Sequence, residues 1–199
     1  MKKTTVAFAM TGSYCTFDRV LAQMEKLVQR GYDVLPVLSF HAGNVDTRFM
    51  TAEHLRSRIV EITGHQPIDT LTEAEPIGPK RLCDLYLMAP ATGNSLAKLA
   101  NGIYDTPALL GAKSHLRNEK PLVLAVSTND ALGIAAQNIG RLLNWRNVYF
   151  VPFGQDDPVK KPRSLVADFT QINAAVDAAL EGRQLQPLLL GPAEEPAHG

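Results

Sequence analysis

Residues 85–100 read LYLMAPATGNSLAKLA and contain the pattern that decides the fold. Leu85–Ala89 is apolar without a break, which is typical of a strand that is buried on both faces. Pro90–Asn94 then brings proline, glycine and small polar side chains. From Ser95 to Ile103 the apolar residues return at helical spacing. The stretch therefore predicts a buried strand that turns directly into a helix.

The same pattern, a short apolar run followed by an amphipathic stretch, recurs on both sides of this segment. This alternation predicts βαβ units and an α/β fold: a doubly wound parallel sheet flanked by helices on both faces, in a Rossmann-like or flavodoxin-like three-layer arrangement. The predicted strand and helix pairs are Thr5–Met10 with Asp18–Arg30, Asp33–Ser39 with Thr51–Thr63, Leu85–Ala89 with Ser95–Ile103, Pro121–Val126 with Ala131–Leu143, and Val148–Pro152 with a last helix around Leu165–Leu180.

Length and composition restrict the possible classes of protein. We expect one domain over residues 1–183 and an irregular tail over residues 184–199, which are rich in proline and glycine. Lys plus Arg and Asp plus Glu are 20 each, so no net positive field would attract nucleic acid or an anionic membrane. No apolar stretch approaches the roughly 20 residues that span a bilayer, which predicts a soluble, cytoplasmic protein. Cys15 and Cys83 lack partners at metal-ligand spacing, so no metal site is predicted.

Ligands of open parallel sheets bind beyond the carboxyl ends of the strands, which makes five loops candidates. In the first loop, Gly12 and Ser13 precede a helix whose N–H groups and dipole would favour a phosphate. A plain turn capped by Ser13 or Thr16 explains the same residues. The loop has neither GxGxxG nor GxxxxGK[ST], so it is not a standard nucleotide-binding motif. The candidate loops are Thr11–Phe17, Ser39–Asp46, Pro90–Asn94, Ser127–Asp130 and Phe153–Pro162.

The loop within Met88–Ser95 contains small and hydroxyl-bearing residues where a strand meets a helix. Small residues would let a planar ligand approach the backbone, and hydroxyls could bind its edge. Further on, Asn101-Gly102 predicts a helix end and Asp105-Thr106-Pro107 a tight turn. Ordinary helix capping also accounts for these residues when they are taken alone.

Pro90–Asp105, PATGNSLAKLANGIYD, resembles the PASANT motif and the following helix of the homo-oligomeric flavin-containing cysteine decarboxylase family, which also holds phosphopantothenoylcysteine decarboxylases and flavin prenyltransferases. The resemblance implies bound FMN and a homo-oligomer, trimeric or dodecameric, with FMN at subunit interfaces. The cofactor-binding residues that it implies are Gly12, Ser13, Ser39, Phe40, Pro90, Ala91, Thr92, Gly93, Asn94, Ser127 and Thr128.

The chain departs from the cysteine decarboxylases at two places. Glu75–Gly78 occupies the position of their active-site histidine, and proline cannot transfer protons. Val126–Gly133 occupies the position of their PxMNxxMW substrate clamp, where only Asn129 matches. Oxidative decarboxylation of a peptidyl cysteine is therefore disfavoured, whereas the flavin loops are intact. The alternative of a decarboxylase or prenyltransferase that acts on another substrate stays open.

A narrower resemblance, over nearly the whole chain, is to one branch of the family. That branch works in sporulation, in the mother cell, with a nicotinamide-binding A subunit that carries NADP or NAD. The pair converts 4-hydroxy-tetrahydrodipicolinate to pyridine-2,6-dicarboxylate. A non-catalytic scaffold subunit is the alternative. The resemblance is carried by Ser127–Gly133, Phe150–Pro158, Lys160–Pro162, Pro36–Phe49 and Glu75–Lys80.

This second resemblance suggests candidates for substrate binding. Asn94 and Asn129 are the candidate catalytic residues, because an amide can hydrogen-bond a substrate carboxylate or ring nitrogen. The substrate carboxylates would pair with Lys160, Lys161 or Arg163.

Three further features of the loops carry weaker expectations. His41 follows the second strand and is a weaker active-site candidate. Cys15 is interpreted as a small buried residue rather than a nucleophile. The loop with Asp156-Asp157 and Lys160-Lys161 predicts a self-paired surface loop, an active-site lid or a subunit contact.

Overall fold

A computed structural model describes residues 3–191, which contain seven strands and eight α-helices. The strands are β1 (Thr5–Met10), β2 (Asp33–Leu38), β3 (Leu85–Ala91), β4 (Leu122–Thr128), β5 (Val148–Phe150), β6 (Phe153–Gly154) and β7 (Leu165–Ala167). The helices are α1 (Phe17–Gln29), α2 (Phe40–Asn44), α3 (Ala52–Thr63), α4 (Leu71–Ala74), α5 (Gly93–Ala100), α6 (Pro107–Leu116), α7 (Ala135–Leu143) and α8 (Ile172–Leu180).

The central sheet has the order β2-β1-β3-β4-β5, and all its neighbouring strands are parallel. Every residue of β3 is buried, as is every residue of β1 after Thr5. These strands are apolar throughout because helices cover both faces of the sheet. The three-layer α/β class predicted from the sequence is confirmed. β1 lies between β2 and β3, so the chain forms β2 on one side of β1 and then crosses to the other side to form β3.

The predicted helix around Leu165–Leu180 is wrong in its first part. Leu165–Ala167 is the strand β7, which pairs antiparallel with the end of β4 at Ser127-Thr128 and with β6. Only Ile172–Leu180 is α-helical, directly after a 3-10 turn at Phe169–Gln171. A short apolar run fits a strand and a buried helix equally well, so its periodicity could not decide. The resulting antiparallel ribbon extends the otherwise parallel sheet.

A predicted turn and a predicted helix start also needed correction. The predicted tight turn at Asp105-Thr106-Pro107 is the start of α6: the Thr106 hydroxyl accepts from the Leu109 N–H at 3.3 Å, and Pro107 is the first helical residue. The helix predicted from Ala131 begins only at Ala135.

The predicted tail begins as irregular chain that runs along β6. The Gln184 side chain accepts from the Phe150 N–H at 2.8 Å and donates to its carbonyl at 2.7 Å. Phe153 donates to the Leu188 carbonyl at 3.0 Å and accepts from the Leu190 N–H at 2.9 Å. The rest of the predicted tail, residues 192–199, lies outside the described residues. Between residues 3 and 191, no helix is long and apolar enough to cross a membrane.

His115, in the last turn of α6, is buried and paired with Cys83. Its Nε2 lies 3.1 Å from the Pro121 carbonyl, which can only accept, so Nε2–H donates there. Nδ1 is then the acceptor for the Cys83 thiol, at 3.2 Å. Burial lowers the pKa of His115 to about 4 and raises the pKa of Cys83 to about 12. Both groups are therefore neutral at pH 7.

This neutral pair predicts a loss of stability in acid. The unfolded chain binds a proton at His115 near the ordinary pKa of 6.5, whereas the folded protein binds it only near 4. The free energy of unfolding should therefore decrease as the pH drops from 6.5 to about 4, by on the order of 2–3 kcal/mol. Urea unfolding at pH 7 and at pH 4 would measure this fall, and His115→Gln should reduce it. An equal fall in the variant would contradict the assignment.

Candidate functional site

A cavity of about 480 Å³ lies where β1, β3 and β4 end. Its size is within the range of about 300–1,000 Å³ found for small-molecule sites. The carboxyl ends of β1 and β3 are the point where the strand order reverses, which is where open α/β sheets bind ligands. The lining residues are Gly12, Ser13, Tyr14, Cys15, Thr16, Arg19, Phe49, Thr92, Gly93, Ser127, Thr128, Asn129, Asp156, Lys161 and Val166.

Hydroxyl groups connect the three strand ends to one another. The Thr11 hydroxyl donates to the Pro90 carbonyl at 2.8 Å and accepts from the Thr92 N–H at 3.2 Å. The Ser13 and Ser127 hydroxyls share a hydrogen bond of 2.8 Å. These bonds hold the loops after β1, β3 and β4 in fixed relative positions. A ligand would therefore meet polar groups whose positions are already set.

Gly93 lies at a very close approach between α5 and the end of β4. A Cβ atom at this position would be 2.6 Å from the Thr128 Oγ1. The preceding residue, Thr92, caps α5 by accepting from the Ser95 N–H at 3.3 Å. From the sequence, small residues here were expected to let a planar ligand approach. The structure shows that Gly93 also makes room for Thr128.

The start of α1 has no side-chain cap. Neither Ser13 nor Thr16 caps a helix through its side chain, and the Thr16 hydroxyl instead donates to the Ser13 carbonyl at 2.7 Å. The side-chain caps that the plain-turn alternative assumed are therefore not formed. Amide groups at a helix start without a side-chain acceptor favour an anion, because the helix dipole adds to their own partial charges.

The cavity carries two cations and one carboxylate. Lys161 Nζ lies 3.1 Å from Asp156 Oδ2, and this hydrogen bond raises the pKa of Lys161. The Arg19 guanidinium lies 4.9 Å from the centroid of the Phe169 ring. The net charge of the lining is positive, which favours an anionic ligand. The loop of Asp156 and Lys161 is thus self-paired and also lines the cavity.

The structure brings seven of the twelve predicted site residues into the lining. These are Gly12, Ser13, Thr92, Gly93, Ser127, Thr128 and Asn129. The other five lie outside the lining: Ser39 caps α2, Phe40 is partly exposed, Pro90 and Ala91 end β3, and Asn94 is exposed on α5.

Other sequence candidates are distributed unevenly around the cavity. Lys161 lines it, whereas Lys160 and Arg163 do not. His41 lies outside the lining, and its carbonyl accepts from the hydroxyl of the lining residue Tyr14 at 3.1 Å. Burial raises the pKa of Tyr14, so this hydroxyl stays a donor. Cys15 is exposed in the lining, which corrects the interpretation that it is buried.

Sequence reasoning gave no role to Tyr14, Arg19, Phe49 and Val166, which also line the cavity. Phe49 and Val166 reach it from segments far along the chain, so no local spacing could have shown them. Arg19 lies in the first turn of α1, two residues after the candidate loop, and this closeness was an available signal. The Glu75–Ile77 turn, at the position of the decarboxylase histidine, is not part of the lining.

Comparisons with known proteins agree with these observations. The sequence model of the flavoprotein family matches residues 1–181. The B subunit of dipicolinate synthase from Bacillus subtilis (strain 168) is 44% identical over 190 residues, which cover 96% of this chain and 95% of that protein. The crystal structure of the corresponding B subunit from Bacillus halodurans is 46% identical with a TM-score of 0.87, covering 94% of this chain and 96% of that one.

A more distant structure shares the fold alone. Burkholderia xenovorans DmrB, solved in complex with FMN, has a TM-score of 0.68 at 19% identity, covering 90% of this chain and 96% of that one. The family resemblance inferred from Pro90–Asp105 and the narrower one from the whole chain are both confirmed.

Proposed function

This chain belongs to the flavoprotein family, and from that membership we propose that it is the FMN-binding subunit of a dipicolinate synthase. The observation that carries the proposal is the cavity at the reversal of strand order, with its fixed hydroxyls and its uncapped helix start. The relatives at 44% and 46% identity, which match nearly their whole length, support the specific reaction.

The lining residues fit the parts of FMN. The Gly12 amide and the Ser13 hydroxyl, with the uncapped start of α1, would hold the phosphate, since the Ser13 N–H already donates to the Thr11 carbonyl at 2.7 Å. The hydroxyls of Ser127, Thr128 and Thr92 would bind the polar edges of the ribityl chain and the ring. The absence of a side chain at Gly93 lets Thr128 occupy that wall of the cavity. Ser39, Phe40, Pro90, Ala91 and Asn94 are proposed to support this site from behind the lining or at its rim.

The proposed reaction removes water and two hydrogens from 4-hydroxy-tetrahydrodipicolinate to give pyridine-2,6-dicarboxylate. FMN, when bound, supplies an acceptor for the two electrons. Because the product is aromatic, the chain's own residues need mainly to position the ring and to neutralise its carboxylates. Lys161 would pair with one carboxylate, and Asn129 would hydrogen-bond a carboxylate or the ring nitrogen. Asn94 is proposed to take part only when substrate or a second chain approaches its exposed position.

The full enzyme is proposed to include other chains. A nicotinamide-binding A subunit would carry NADP or NAD, since this sequence lacks the dinucleotide motif. A second copy of this chain would cover the open side of the cavity, where Phe49 is 51% exposed. We propose that this assembly works in the cytoplasm of the mother cell of a spore-forming bacterium.

Reconstitution tests the proposal directly. The purified chain should bind FMN at micromolar concentration with a saturable change in flavin absorbance and fluorescence. With the A subunit, NADP or NAD, and 4-hydroxy-tetrahydrodipicolinate, the absorbance of the pyridine product should then appear. A chain that binds no FMN would exclude the flavin site, and a full rate without FMN would support the scaffold alternative.

Neighbouring lysines give a matched test of substrate binding. Lys161→Gln should raise the KM for the dicarboxylate about tenfold, because a charge-assisted hydrogen bond is lost and Asp156 is left to repel the substrate. Lys160→Gln removes the same charge one residue away, outside the lining, and should leave KM within about twofold. Equal effects of the two variants on KM in the assay with both chains would exclude this role for Lys161.

A further inference from the structure

A second cavity, of about 620 Å³, lies at the other edge of the sheet. It is formed where α6 and α7 end, just before β4 and β5 begin, whereas the candidate flavin site lies at the carboxyl ends of the strands. We call it the basic groove. Its lining residues are Tyr104, Lys113, Leu116, Arg117, Asn144, Trp145 and Arg146.

The basic groove concentrates positive charge in a chain whose formal net charge is zero. Lys113, Arg117 and Arg146 line it, and no carboxylate does. Within residues 3–191, none of the three cations forms an ion pair. In the candidate flavin site, by contrast, Asp156 neutralises Lys161. The charges of the groove are therefore available to an external anion.

Two aromatic side chains form part of the same lining. The Lys113 ammonium lies 5.7 Å from the centroid of the Tyr104 ring, so the cation is held against an aromatic face. Trp145 is half-buried and presents a large planar surface in the groove. Aromatic faces stack on planar ligands, and arginine forks match carboxylate or phosphate oxygens.

Helix capping explains only part of this arrangement. Lys113 and Arg117 lie at the end of α6, where the helix dipole favours cations. That effect does not account for Arg146, which lies beyond the end of α7, or for the two aromatic residues beside the charges. We propose that the basic groove is a second ligand site, which binds a planar aromatic polyanion. This inference goes beyond the proposed function, because the groove is separate from the candidate flavin site.

Trp145 is the only tryptophan of the chain, so its fluorescence reports on the groove directly. Aromatic dicarboxylates and nucleotides share the proposed chemistry, and the full chain would be titrated separately with pyridine-2,6-dicarboxylate and with AMP. We expect saturation below about 1 mM for at least one of them. The probe that saturates shows whether the groove binds an aromatic dicarboxylate or a nucleotide. Glutarate, which has two carboxylates and no ring, should bind at least about tenfold more weakly, because it cannot stack.

Variants separate this site from others. Arg117→Gln and Arg146→Gln should each weaken binding about tenfold, since each removes a charge-assisted contact. Lys26→Gln, which removes an exposed positive charge on α1, should leave the affinity unchanged. No fluorescence response to either aromatic anion, equal binding of glutarate, or insensitivity to both arginine variants would overturn the proposal.

Discussion

Replacing Gly93 with valine is expected to weaken FMN binding about 10- to 100-fold, the equivalent of about 1–3 kcal/mol of overpacking. The Cβ atom of residue 93 would lie 2.6 Å from the Thr128 Oγ1, so Thr128, which also lines the cavity, must move, and the branched side chain adds volume at this wall of the cavity. Titration with FMN, followed by flavin fluorescence, measures the loss.

Gly140→Ala is the control for this prediction. Gly140 lies in α7, and beyond its chain neighbours and the backbone of its own helix no atom lies within 4 Å of the position of a Cβ, so alanine fits there and FMN binding should be unchanged. If Gly93→Val does not fold, Gly93→Ala makes the same contact with Thr128 with less added volume. Wild-type affinity for FMN in a folded Gly93→Val protein would show that the flavin does not use this cavity.

Replacing Gly78 with alanine is expected to lower the free energy of unfolding by about 3 kcal/mol or more. A Cβ atom there would lie 2.3 Å from the Ser114 carbonyl oxygen and 2.7 Å from its carbonyl carbon, both in the backbone of α6. A rotamer change cannot relieve contacts with a backbone, and Gly78 is buried, so α6 would have to shift. Urea unfolding would measure the loss.

The control variant Gly140→Ala should change the free energy of unfolding in the opposite direction. Gly140→Ala, in open space within a helix, should raise the free energy of unfolding by about 0.5–1 kcal/mol. A folded Gly78→Ala protein should also bind FMN normally, because Gly78 does not line the cavity. An equally stable Gly78→Ala variant would mean that the turn after Ile77 and α6 are not packed as closely as described.

The central parallel sheet was predictable because its strands are buried on both faces. Runs such as Leu85–Ala89 can then be apolar at every position, and each is followed by a helical pattern. The ribbon of β6 and β7 was not predictable, because Leu165–Ala167 is too short to show a period. Only its pairing with the end of β4 distinguishes it from the start of a helix.

The sequence by itself determined the fold class and the loops that meet at one edge, because the carboxyl ends of parallel strands necessarily lie together. Tertiary structure decided which side chains of those loops reach the cavity. It selected Lys161 over Lys160, and it brought in Phe49 and Val166. The physical reason is that the position of each loop depends on strand pairing between segments far apart in the chain. β6 and β7 flank the loop that holds Lys161, and the pairing of β7 with the end of β4 brings this loop to the cavity, which no spacing within the sequence shows.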